Sequence, residues 1–108
     1  MFLIMRAIEQ LMNYAIRTGK DWRRDNTKVE TQDGVSTVYL YGNKIAEIGD
    51  NFIRLYDGGH QSKTTRSRLN AILSAHGLPG EWVYQRANSW FVVINGVSVP
   101  FFSGMRLN

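Results

Sequence analysis

Two dipeptides, Asp33-Gly34 and Asn95-Gly96, constrain this chain's fold more than any other feature of it. Each stands between runs rich in β-branched and aromatic residues, and a two-residue Asp-Gly or Asn-Gly loop supplies the left-handed pair that a type I′ hairpin turn requires. The first loop joins Thr27–Gln32 to Val35–Tyr41 and sets Val29 opposite Val38. The second joins Trp90–Ile94 to Val97–Phe102, bringing Val92 near Val99 and Trp90 near Phe101. Antiparallel pairing is therefore expected in both halves of the chain. Turns at Gly42-Asn43 and Gly49-Asp50-Asn51 extend the first hairpin through Lys44–Ile48 and Phe52–Tyr56 into a four-stranded meander. Ala87-Asn88-Ser89 places Trp82–Arg86 ahead of the second hairpin, and Pro100, which has no N–H for a ladder, marks its last strand as an edge. In the second strand Val35, Thr37, Tyr39 and Tyr41 share one face and Ser36, Val38 and Leu40 the other. Neither is plainly polar, so both are expected to be partly covered.

Two helical segments punctuate this pattern. From Met1 to Thr18, Ile4, Met5, Ile8, Leu11, Met12 and Ala15 recur at spacings of three and four, and Gly19 supplies a left-handed stop. A second helix is expected from an N-cap at Thr64 or Thr65 to about His76, with Leu69, Ile72, Leu73 and His76 inward and Gly77 and Pro79 ending it. The expectation is one α+β domain over residues 1–108: an N-terminal amphipathic helix, an antiparallel meander, a second helix, then three antiparallel strands. The apolar first helix and the Pro100 edge are its two candidate surfaces for a homodimer.

The same residues argue against several classes of function. The chain has no Cys, which removes disulfides, thiolate metal sites and cysteine nucleophiles. His60 and His76 stand sixteen positions apart without acidic co-ligands, so no metal is expected. There is no Gly-x-Ser-x-Gly elbow and no phosphate-loop motif, and Asp33, Asp50 and Asp57 fall in turns where Asp serves the local backbone. The sequence thus points to no catalytic residues, no cofactor and a binding role. Met1–Met5 is cut short by Arg6, so neither a signal peptide nor a membrane span is expected, and the chain is read as soluble and cytoplasmic.

Charge supplies the positive signal. The formal net charge is +4, made of +2 over residues 1–25, −2 over residues 26–60 and +4 from residue 61 onward. Within the last segment Lys63, Thr64, Thr65, Arg66 and Arg68 crowd the first turns of the second helix, where the peptide dipole is already positive. A phosphate at that end would meet N–H groups, hydroxyls and guanidinium forks together. The competing reading is a solvated face, or pairing of the arginines with Asp57, Asp50 or Glu47. Lys20, Trp22, Arg23 and Arg24 form a second cluster after the first helix, with Trp22 either stacking on a base or closing the core. Arg86, at a hairpin tip, completes the candidate contact residues. Trp82, Trp90, Phe91, Phe101 and Phe102 are read mainly as core.

One resemblance adds context. Val38-Tyr39-Leu40-Tyr41-Gly42-Asn43-Lys44-Ile45-Ala46, Phe52-Ile53-Arg54-Leu55, Thr64-Thr65-Arg66-Ser67-Arg68-Leu69-Asn70-Ala71-Ile72-Leu73 and Trp90-Phe91-Val92 resemble segments of small accessory proteins of tailed bacteriophages, over roughly residues 26–102. The resemblance carries no active site. It implies work in a bacterial host cytoplasm on nucleic acid, a host protein or a nucleoprotein complex, including inhibition of defence systems such as CRISPR effectors. A small virion or assembly component is a third reading.

Overall fold

The computed structural model describes residues 5–107, in which local turn chemistry and alternation build two separate antiparallel sheets. The chain runs α1 (Ala7–Thr18), β1 (Trp22–Arg24), β2 (Thr27–Gln32), β3 (Val35–Leu40), β4 (Asn43–Ile48), β5 (Ile53–Leu55), α2 (Lys63–His76), β6 (Trp82–Arg86), β7 (Ser89–Ile94), β8 (Val97–Pro100) and β9 (Met105–Leu107). The larger sheet has the order β1-β2-β3-β4-β5-β9, and the smaller is β6-β7-β8. At both dipeptides φ is positive on each residue, 53° and 79° at Asp33-Gly34 and 52° and 75° at Asn95-Gly96. The resulting registers set Val29 against Val38 and Val92 against Val99, and the Trp90 and Phe101 rings meet edge to face at 5.2 Å. β8 is an edge strand, as Pro100 requires.

Two three-residue strands escape the sequence pattern, which placed the equally short β5 only through the turn at Gly49-Asp50-Asn51. β1 extends the sheet beyond β2 through a turn at Asp25, and β9 returns to pair with β5. The turn between β3 and β4 lies at Tyr41-Gly42, with φ of 52° and 78°, one residue earlier than the expected Gly42-Asn43. The N-cap of α2 is Ser62, whose Oγ accepts the Thr65 N–H at 3.1 Å, and not Thr64 or Thr65. Helix α1 begins at Ala7, after an extended Arg6, so the expected start was too early; Met1–Ile4 lie outside the described residues. Its buried side is rotated from the expected stripe to Glu9, Met12, Asn13, Ala15 and Ile16, leaving Leu11 40% exposed. The rotation follows from two polar residues turned inward toward α2.

Helix α2 lies between the sheets, against β4 on one side and β6 on the other. Leu69, Asn70, Ala71, Ile72 and Leu73 are consecutively buried, as a helix covered on more than one side must be. One continuous inner row of the larger sheet, Trp22–Val29–Val38–Ala46–Leu55–Met105, faces the helices. Val83, Trp90 and Val92 of the smaller sheet join the same core cluster. Two polar devices fix the layers. Asn13 Nδ2 donates to the Ala71 carbonyl at 3.0 Å, tying α1 to α2. Asn70 pairs with Val83 as a strand would, its Nδ2 donating to the Val83 carbonyl at 2.9 Å and its Oδ1 accepting the Val83 N–H at 2.7 Å. Among the described residues no helix is long and apolar enough to cross a membrane.

Candidate functional site

The cations at the start of α2 do not share a face. Lys63 is exposed and Thr64 half-buried, whereas Thr65 is buried with its hydroxyl directed to the His60 carbonyl at 3.3 Å. The Arg66 guanidinium sits 6.0 Å from the Trp90 ring centroid, pointing toward the smaller sheet. Arg68 turns inward and is 3% exposed. Its Nη1 donates to Glu9 Oε2 at 2.8 Å, its Nε to Thr27 Oγ1 at 3.0 Å and its Nη2 to Asn26 Oδ1 at 3.2 Å. Glu9 also accepts from the Ser67 hydroxyl at 2.6 Å and from the Arg6 N–H at 3.1 Å. The negative partner of Arg68 is thus a carboxylate of α1, buried beside it. Arg68 therefore leaves the set of surface contact residues, and its partner is Glu9 instead of Asp57, Asp50 or Glu47.

The second cluster divides along the pleat of β1. Trp22 faces inward opposite Val29 and packs on the core, while Arg23 points to the outer face opposite Lys28 and Arg24 is exposed at the sheet edge. Lys20 is exposed beyond the C-cap of α1, its N–H bonded to the Ala15 carbonyl at 3.0 Å. Arg86 is exposed at the β6–β7 turn, on the outer face of the smaller sheet, whereas Arg23 belongs to the larger. The remaining aromatics of the smaller sheet are not all core: Phe102 is 63% exposed.

What the structure does assemble is a cross-strand row that the sequence pattern did not reveal. Arg23 pairs with Lys28, Lys28 with Tyr39, and Tyr39 with Lys44, so one line across β1–β4 presents three cations and an aromatic ring. A second outer row runs Glu30–Thr37–Glu47–Arg54–Arg106. None of these nine residues is buried, and five carry positive charge against two carboxylates. A β-bulge makes the first row possible. The register shifts between Val38 and Tyr39, so Ile45 and Ala46 are both buried while Lys44 and Glu47 both face outward. Simple alternation would have sent Lys44 and Glu47 to opposite faces.

Internal contacts hold this face in shape. Lys28 lies 4.7 Å from the Tyr39 ring centroid and 3.7 Å from Glu30, and Lys44 lies 4.4 Å from the Tyr56 ring and 3.6 Å from Glu47. The Tyr56 hydroxyl donates to Glu47 at 2.6 Å; burial, then that bond, holds its pKa above the usual phenol value. Arg54 donates to the Gly104 carbonyl at 3.2 Å and Arg106 lies over the Phe52 ring. Arg23 and Lys28 border an open hollow of about 540 Å³ with Asp25, Asn26 and Tyr41. Tyr41, at the tip of the β3–β4 turn, is 74% exposed. The acidic balance of residues 26–60 concealed this surface, because Asp33, Asp50 and Asp57 reside in turns and loops and not on the outer rows. Among the described residues no group of three or more His, Cys, Asp or Glu gathers as for a metal ion.

The comparisons with known proteins agree with a phage origin. The sequence pattern of the Kyanoviridae Gp96 protein family matches residues 5–108. The chain belongs to that phage protein family. The match takes in α1 as well as the central and C-terminal segments. No curated protein and no solved structure matches the chain.

Proposed function

We propose that this family member is a non-catalytic binding protein of a tailed phage that contacts nucleic acid, free or within a host nucleoprotein complex, in the host bacterial cytoplasm. The contact surface is the outer face of the six-stranded sheet, with the start of α2 in a structural role. The observation that carries the reading is the row Arg23–Lys28–Tyr39–Lys44, bordered by the exposed Tyr41. Cations spaced across strands follow a phosphate backbone, and aromatic rings among them offer π-faces to unpaired bases without demanding a sequence. Lys28 and Lys44 already rest near tyrosine rings, so the long side chains are held close to the surface and lose less freedom on binding.

Titration of labelled single-stranded DNA and RNA across a range of salt tests the reading. Removing one phosphate-binding cation should flatten the slope of log K against log salt by about 0.7 for a single strand. The triple substitution Arg23→Ala, Lys28→Ala, Lys44→Ala should therefore flatten it by about 2. Lys63→Ala with Arg86→Ala should leave it nearly unchanged. Binding indifferent to salt, or to the triple substitution, would refute this surface.

A further inference from the structure

The turn from α2 into β6 contains a carboxylate with half of its hydrogen-bonding capacity unused. Glu81 is 6% exposed; its Oε1 accepts the Leu78 N–H at 2.8 Å, while its Oε2 is buried and has no partner. Gly77 leaves room for it, since a Cβ there would come within 2.6 Å of Glu81 Oε1. Glu81 lines a cavity of about 550 Å³ whose other walls include Leu73, Leu78, Pro79, Trp82 and Val93. A carboxylate oxygen removed from water without a donor is costly, and the groups that relieve that cost most are charged donors. Apolar walls around such a group suit a cation carried on a methylene stem.

The surroundings specify what carries that cation. Trp82 and Val93 belong both to the cavity and to the outer face of the smaller sheet. That face continues through Tyr84, Phe91 and Pro100, with the Tyr84 and Phe91 rings stacked at 5.5 Å, and none of these residues is buried. A free amine would use the cavity alone, whereas a polypeptide would also lay flanking apolar side chains on this face. We propose that the cavity receives an arginine or lysine side chain of a partner polypeptide, paired to Glu81, whose neighbouring residues cover the aromatic face of β6-β7-β8.

The test uses the isotopically labelled protein and two peptides, acetyl-Leu-Arg-Leu-amide and its citrulline counterpart, which has nearly the same shape without charge. The arginine peptide should shift the amide signals of Leu78, Glu81, Trp82 and Val93, and the citrulline peptide should bind about tenfold or more weakly. Glu81→Gln should reduce the arginine peptide to the citrulline level. Ser74→Trp, on the exposed cavity wall, should abolish both responses without altering Glu81, so the proposal stays testable even if Glu81→Gln unfolds. Equal binding of the two peptides, no shifts at the cavity, or shifts that persist in Ser74→Trp would overturn it.

Discussion

The two sheets share a construction rule but present different outer faces. In each, type I′ dipeptides set an antiparallel register and alternate residues enter a common core around α2. Outward, the six-stranded sheet presents rows of lysine, arginine, glutamate and tyrosine, whereas the three-stranded sheet presents Trp82, Tyr84, Phe91, Val93 and Pro100. Their ties to the helices differ as well. The larger sheet is held through Arg68, which is ion-paired to Glu9 of α1 and donates to Thr27 of β2, the smaller by a neutral amide acting as an extra strand. A hairpin's register is therefore independent of what its solvent side offers to a partner, and this chain carries two chemically distinct surfaces.

Breaking the ion pair should have the largest effect. Glu9→Gln or Arg68→Met alone leaves a buried charge without its partner and should cost about 3–5 kcal/mol. Removing both together as Glu9→Leu with Arg68→Met should recover much of that loss. Urea denaturation of the two single variants and the double variant gives the comparison, and a double variant as weak as the worse single would remove the pair from the account.

Cutting the other tie comes next. Asn70→Ala leaves the buried Val83 N–H and carbonyl without their side-chain partners, at about 1–3 kcal/mol for each group left unsatisfied. Amide exchange should quicken most across β6-β7-β8 while the inner strands of the larger sheet keep their protection. Uniform loss across both sheets would show that they do not differ in attachment.

A smaller effect separates the regions by pH. His76 is held below its ordinary pKa of 6.5 by burial, and further by the charge of Arg17. The unfolded chain then binds more protons than the folded one as pH falls below that ordinary value, so stability is full above it and declines through the lowered folded pKa. Its Nε2 lies 3.2 Å from Asn13 Oδ1, a contact that a protonated ring retains, so the loss comes from the buried charge and its repulsion by Arg17. Denaturation midpoints from about pH 7.5 to about pH 5.5 should fall in the native chain and flatten in His76→Gln. An unchanged pH dependence in that variant would assign it elsewhere.

Much of the fold was legible from residues with one strong local preference. Asp33-Gly34 and Asn95-Gly96 set two registers, Pro100 located an edge, and Gly19 ended α1 in a left-handed conformation. β1 and β9 were not legible, because three residues cannot show alternation and neither follows a turn as plain as the Gly49-Asp50-Asn51 that located the equally short β5. The inward turn of Glu9, Asn13, Arg68 and Asn70 was hidden for a related reason. Polar residues within helices signal solvent locally, and only a partner from another element, 13 to 59 residues away, reverses that preference. The outer row of the larger sheet required knowing the bulge at Val38/Tyr39, which no single residue type announces.

The most direct test of the central claim is a map of amide signals on adding a short single-stranded oligonucleotide. The perturbed residues should be Arg23, Lys28, Tyr39, Tyr41 and Lys44, with Lys63, Arg66 and the β6-β7-β8 face unmoved. Perturbation centred on the start of α2 or on the smaller sheet, with the outer row silent, would contradict it.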